Sequence, residues 1–364
     1  MLNHLLKSMS QTGQAPGTLI EPPAEETIGV SRIDRFQFFP DSMPAEKLDI
    51  GPDTLLTELD APDNSGGTTW IHCQGDVTAE TLQSLGRCFN LHKLALEDVH
   101  NGGQRPKLDY FDDYVFLTLA LPARNNGDHL IFEQVSIFLG YGFVLSFHRS
   151  ANDVLDSLRR RFRGNVTPRS VPAPGYIAYT IADVIVDCGF ELLNDFNDRL
   201  ERLENEIFES SRNDVVGVVH GLRRELIALR KILRNQHEML LRWSSLEHPR
   251  VRKQTRPFIR DAQDHARRVL DLADGYYDTA GSLLDTYLSL SSSRLNETIR
   301  VLTLVSTVFM PLSFLAGLYG MNFNTQSPWN LPELGWRFGY LYVLGVMATV
   351  VLGMLIFFRR RGWI

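Results

Sequence analysis

"GLYGMNFNTQSPWNLPELGWRFGY", residues 317–340, lies between two long apolar runs near the end of a 364-residue chain. Its only charges are Glu333 and Arg337. The run that follows, residues 338–358, has no charged residue, about the 20 residues that a bilayer-spanning helix needs. Arg359, Arg360, Arg361 and then Trp363 come next. A basic stop with an aromatic beside it marks a membrane exit on the cytoplasmic side. The preceding run, "VLTLVSTVFMPLSFLAGLYG" (residues 301–320), is also uncharged, but it carries Thr303, Ser306, Thr307, Pro311 and Ser313. Hydroxyls and proline are tolerated where a membrane helix faces protein or a water-filled lumen. Two spans joined by so short a loop form a hairpin with both outer ends on one side. Both termini are therefore expected in the cytoplasm, at the plasma (inner) membrane, with the quoted stretch outside.

The rest of the chain has a different character. The net charge is −6, and nearly all charged residues precede position 295. An acidic balance argues against nucleic acid as a partner, which needs a basic face. Cys73, Cys88 and Cys188 are odd in number and widely spaced, suggesting neither a disulfide framework nor a zinc knuckle. Residues 1–30 are rich in Gln, Pro, Gly and Glu and read as a mobile tail without the apolar core of a signal peptide. Membrane entry is thus expected to rest on the two C-terminal spans.

Residues 31–165 mix helical and strand patterns. "AETLQSLGRCFNL" reads as a helix, and residues 114–149 read as successive strands with turns at 125–128 and 140–142. This predicts an α/β or α+β cytoplasmic domain. It has no Gly-rich phosphate loop, no HExxH and no nucleophile elbow, so no enzyme and no cofactor is expected. His72 with Cys73, and His148 alone, lack the three or four convergent ligands of a metal centre and read as structural.

Residues 166–249 read as a helical hairpin. Leu193, Phe196, Leu200, Leu203 and Ile207 step by three and four, as do Leu222, Leu226, Leu229, Leu233 and Leu240 with Gln236 between. The first helix is mostly acidic (Asp187, Glu191, Asp195) and the second richer in Arg223, Arg224, Arg230 and Arg234. The bland expectation is charge pairing between them; the functional alternative is a cation-attracting surface. From about residue 250 a stricter seam begins, through Ala262, Ala266, Val269, Ala273, Tyr276, Ala280, Leu283, Tyr287 and Leu290. No proline occurs between Pro257 and Pro311, so one helix over 250–320 is expected, about 100 Å at 1.5 Å per residue. Its small-residue seam predicts an oligomer around an axis.

Continued into the bilayer, that helix carries Asn296, Ile299, Leu302, Ser306, Met310, Ser313 and Gly317 on one face. A stripe of small and polar residues means tight packing or a lumen. No Asp, Glu or His interrupts it, as a proton relay would require. The stripe predicts a narrow pore with apolar constrictions at Leu302 and Met310. A membrane-anchored coiled-coil scaffold, the rival of a different class, needs no such stripe.

At its outer end stands "YGMNF", residues 319–323. Here, and in "LEDVHNGGQRPKLDYFDDYVF" (96–116), "LLDTYLSLSSSRLNE" (283–297), "LPEL" and the basic-aromatic ending, the chain resembles the CorA family of magnesium and cobalt transporters. The resemblance covers the chain from about residue 90 onward. It implies a funnel-shaped homopentamer: α+β cytoplasmic domain, long-helix coiled-coil stalk and two-helix transmembrane hairpin. The first membrane helix of each subunit would line a pore for divalent cations, Mg²⁺ first, with Co²⁺ and Ni²⁺ as further cargo. Gly320, Met321 and Asn322 match the signature of the outer selectivity filter. From the residues alone Asn322 serves equally as a helix C-cap. Neutral oxygens suit an ion that gives up its water reluctantly. The resemblance further assigns Asp98 and Asp261 to a regulatory Mg²⁺ sensor between neighbouring subunits, with Glu97 and Asp264 as weaker candidates. Mg²⁺ would be both substrate and regulator. Membrane lipid and further copies of the chain are the other implied partners.

The chain departs from the family at Ile299 and Ser313, where methionine and threonine are frequent. The outer loop "NTQSPWN" is longer than in compact relatives, which leaves the position of Glu333 open. A zinc transporter of the same superfamily, coupled to protons, is the alternative function. Its loop usually departs from the Gly-Met-Asn-Phe and "PEL" pattern present here.

Overall fold

The computed structural model describes residues 19, 32–40, 44–51, 54–55, 67–125, 128–150, 153–165, 171–209, 214–249, 251, 253–321 and 331–363. The chain divides into two compact units, Met1–Leu283 and Leu284–Ile364.

The first unit is built on a seven-stranded sheet. Its strands are β1 (Arg32–Phe38), β2 (Ala45–Lys47), β3 (Thr68–Gln74), β4 (Lys107–Tyr110), β5 (Tyr114–Arg124), β6 (Leu130–Gly140) and β7 (Phe143–His148), in the order β2-β1-β3-β7-β6-β5-β4. Only β3 and β7 run parallel; the other neighbours pair antiparallel. One face is covered by α1 (Ala79–Cys88) and α2 (Lys93–Asn101), which bury Ile33, Ile71, Phe116, Phe138 and Leu145 with Leu82, Leu85 and Leu96. The other face receives α3 (Asp156–Asn165), whose Phe162 packs on Trp70 and Phe38, and α4 (Pro174–Glu209). With both faces covered, β5 is buried from Tyr114 to Pro122. That is why "YVFLTLALP" lacks the alternation of a strand with one wet side.

After α4 comes α5 (Val215–Ser245), opened by Asp214, whose carboxylate accepts from the Gly217 N–H at 3.0 Å. The charges of this helix pair do not match across the hairpin as expected. Arg199 of the acidic helix meets Glu225 of the basic one at 3.0 Å, and Arg124 of β5 binds Asp195 at 2.7 Å and Glu225 at 3.3 Å. Arg223 and Arg230 turn instead to α6 (Arg256–Tyr319). Both guanidinium groups lie 4.6 Å from the Tyr277 ring centre, Arg223 donates to the Tyr277 hydroxyl at 2.7 Å, and Arg230 pairs with Asp274. The seam of α6 likewise finds cover inside its own chain. Ala262, Ala266, Val269, Ala273, Ala280 and Leu283 are buried, with Val269 against Gly189 of α4. This part of the seam therefore carries no argument for an oligomer.

The second unit holds the rest of α6 and α7 (Gly339–Arg360), each long and apolar enough to cross a membrane. Helix α6 passes Pro311 unbroken. Before α7, residues Pro332–Gly335 form a 3-10 turn. Its Glu333 carbonyl comes so close to Gly339 that a Cβ there would collide with the oxygen.

Candidate functional site

Two groups of residues stand out, one in each unit. In the second unit, Asn296, Ile299, Leu302, Ser306, Met310, Ser313 and Gly317 are all exposed along α6. Partly covered positions of the same helix, among them Leu304, Val308, Pro311, Leu315 and Leu318, cluster on the opposite side. A helix with one sheltered stripe and one open stripe has two distinct faces. Leu302, Ser306 and Met310 also line a groove of about 740 Å³ with Thr307, Phe314 and Met354 of α7. The threonine hydroxyls bond back to carbonyls of their own helix, Thr303 to Ile299 and Thr307 to Thr303, each at 2.7 Å. Such back-bonding satisfies a hydroxyl where no water is at hand. At the end of α6 the Gly320 N–H donates to the Ala316 carbonyl at 3.0 Å and Met321 is exposed. Asn322 lies outside the described residues. Glu333 is half-buried in the 3-10 turn.

In the first unit, Asp261 stands on α6 one turn before His265, facing Asp183 of α4. Asp183, Asp261 and His265 each offer a ligand atom within 4.8 Å of the others. His265 Nδ1 is 3.4 Å from Asp183 and 3.9 Å from Asp187, and its Nε2 is 3.9 Å from Asp261. The Tyr179 hydroxyl lies 3.4 Å from carboxylate oxygens of both Asp183 and Asp261. Burial raises the Asp183 carboxyl above its ordinary value, against the pull of His265. Burial and the neighbouring Asp183 raise Asp187 too. Two carboxylates, an imidazole and a phenol at these distances can hold a hard divalent ion, because each added positive charge relieves the crowding of the acids.

Asp98 is not in this cluster. It sits on α2, 2.6 Å from the Lys107 ammonium, which also reaches Asp109 at 3.0 Å. Burial raises its carboxyl, opposed by the hydrogen bond to Lys107. Within one chain, then, Asp98 and Asp261 keep different company. Asp183, His265 and Tyr179 were missed in the sequence. The pattern existed, since 179, 183 and 187 step by four as do 261 and 265, but nothing in it says that the two helices face each other. His72 and His148 are structural. His72 Nδ1 bonds the Ser146 hydroxyl at 2.8 Å and His148 meets Glu133 at 3.0 Å, both inside the sheet layers.

A family model described as CorA-like Mg²⁺ transporter protein matches residues 65–360. The chain belongs to that family. The cobalt/magnesium transport protein CorA of Thermotoga maritima is 37% identical over 302 residues, 83% of this chain and 85% of its own length. The zinc transport protein ZntB of Yersinia pestis is 23% identical over 89% of this chain and 96% of its own. Among solved structures, the complete CorA magnesium transporter of Methanocaldococcus jannaschii superposes with a TM-score of 0.72 at 22% identity, covering 93% of this chain and all of that one. The CorA fold accounts for the α/β unit, the long helix and the two apolar C-terminal helices together. Membership of a transporter family also agrees with the absence of an enzyme motif from the sequence.

Proposed function

We propose that the chain is a potential-driven channel for Mg²⁺, with Co²⁺ and Ni²⁺ as further cargo, assembled as a homopentamer with both termini in the cytoplasm. The observation that carries this reading is the open face of α6, seven residues of small, polar or apolar character set opposite the partly covered side of the same helix. Around a symmetry axis those faces would enclose a lumen. Gly320, Met321 and Asn322 would then form its outer mouth, and Glu333 would stand beside it. With no titratable side chain on the face, the driving force would be the potential alone, about 4.6 kcal/mol per 100 mV for a divalent ion, twice the value for one elementary charge. The Asp183–Asp261–His265 cluster, with Asp98 from a neighbouring copy, would bind cytoplasmic Mg²⁺ and favour the shut state through its higher affinity there.

The experiment is uptake into proteoliposomes with Mg²⁺, Co²⁺, Ni²⁺ and Zn²⁺ at matched gradients. Asn322→Ala should abolish flux while leaving the oligomer intact; normal Mg²⁺ flux in that variant would remove the filter assignment. A second reading, proton-coupled zinc transport, is favoured by the relatives named as zinc transport proteins. It would take precedence if collapsing the pH gradient at fixed potential stopped uptake.

A further inference from the structure

The last turn of α7 ends in a formed cap. Gly362 takes a φ of +70°, its N–H donates to the Arg359 carbonyl at 3.1 Å, and the Trp363 N–H reaches back to the Phe358 carbonyl at 3.0 Å. This pair of bonds is the Schellman arrangement, which brings the residue after the glycine against the last turn. Trp363 accordingly lies over Phe358, ring centres 5.8 Å apart and planes inclined by 13°. The Arg361 guanidinium rests 5.8 Å from the Phe357 ring centre. Arg359, Arg360 and Arg361 are all exposed, and at about 100° per residue they fan over roughly 200° of the helix circumference. From residue 334 to residue 364 the sequence contains no Asp or Glu.

Three full positive charges exceed what a helix C-terminus calls for, since its dipole amounts to roughly half an elementary charge. No acid of α7 can absorb the remainder. Guanidinium groups are shaped for paired hydrogen bonds to phosphate oxygens, and an indole fixed beside them suits the boundary between headgroup and acyl chain. We propose that this cap is a binding site for anionic phospholipid, the phosphate headgroup held by Arg359, Arg360 and Arg361 and the glycerol region resting on Trp363. Free phosphate would use the arginines and leave the indole without a role. The proposal rests on the reading of α7 as a membrane span.

The test is lipid binding to the full-length oligomer in detergent, read by native mass spectrometry with phosphatidylglycerol, phosphatidylcholine or inorganic phosphate added. The wild type should retain phosphatidylglycerol in preference to phosphatidylcholine. Replacing all three arginines by Gln should weaken phosphatidylglycerol on the order of a hundredfold at low salt, about fivefold per arginine, and leave phosphatidylcholine unchanged. The corresponding lysine variant should keep most of the preference. If the Gln triple variant fails to insert, Arg360→Gln alone carries the test with the fivefold loss. Equal retention of the two lipids by the wild type, unaltered phosphatidylglycerol binding in the Gln variants, or displacement by inorganic phosphate at equal potency would overturn the proposal. Release of the wild-type chain from membranes by alkaline carbonate would instead overturn the spanning reading beneath it.

Discussion

The two units of this chain treat the same kind of side chain in opposite ways. In the first, Trp70, Phe138 and Leu226 are wholly buried, closed in by other parts of the unit. In the second, Leu302 is 65% exposed and Met310 72%, and Phe309, Phe314 and Leu341 stand open as well. Apolar surface leaves water in both cases. The first unit supplies its own shelter; those apolar side chains of the second find none within it. Helices α4, α5 and α6 of the first unit exchange ion pairs and cation–π contacts. Threonine hydroxyls turn back on carbonyls of their own helix in both units, Thr279 in the first and Thr303 and Thr307 in the second.

The largest expected effect falls on the core of the first unit. Phe138→Ala should cost about 3–5 kcal/mol, the usual range for removing a buried aromatic. Denaturant midpoints of the full chain in detergent would measure it. Met310→Ala, by contrast, should leave the midpoint within about 0.5 kcal/mol, as substitutions outside a packed core do, and alter ion flux. A comparable loss of stability in both variants would break the contrast between the units.

Next comes a pH effect confined to the sheet. Burial, with Arg159 nearby, lowers the His72 pKa from 6.5 to about 3. Above 6.5 the ring is neutral whether the chain is folded or not, and its full contribution is present. As the pH falls from 6.5 towards 3, the unfolded chain takes up the proton and the folded chain does not. Stability should therefore fall by about 1.4 kcal/mol per pH unit in that window. Replacing His72 by Gln should flatten the slope; an unchanged slope would place the titrating group elsewhere.

The Tyr277 clasp should be worth less. Tyr277→Leu removes two half-exposed cation–π contacts, about 1–2 kcal/mol together. A double-mutant cycle with Arg223→Gln separates the pair from the loss of packing, and zero coupling would make the clasp a coincidence of packing. Lys107→Met should also have a small effect on stability, under about 1 kcal/mol for a partly exposed ion pair. Its consequence should show in regulation, because a freed Asp98 would bind the divalent ion more readily and shut-off would need less Mg²⁺. Protease protection across a Mg²⁺ titration reads that midpoint, and an unshifted value would remove Asp98 from the sensor.

Much of the fold was legible before any coordinates. The α/β unit followed from strand runs broken at 125–128 and 140–142, where β5 gives way to β6 and β6 to β7. The long helix followed from an unbroken seam without proline. The candidate sites were legible unevenly. A candidate face along α6 was readable because a helical face is a matter of spacing. The partners of Asp261 were not, nor was the turning of Arg223 and Arg230 towards α6, since charge counts along two helices do not tell which sides meet.

The sequence by itself determined where a membrane could be crossed, because an uncharged run of about 20 residues ended by arginines is a property of one segment and its solvent. It determined the family as well, through motifs carried in order along the chain. Only the tertiary structure decided that Asp183 stands across from Asp261 and His265, that Lys107 holds Asp98, and that most of the α6 seam is closed by its own chain. Those pairings depend on how separate helices settle against a shared sheet. The energy that settles them is shared among many buried side chains, and no single stretch of sequence states it.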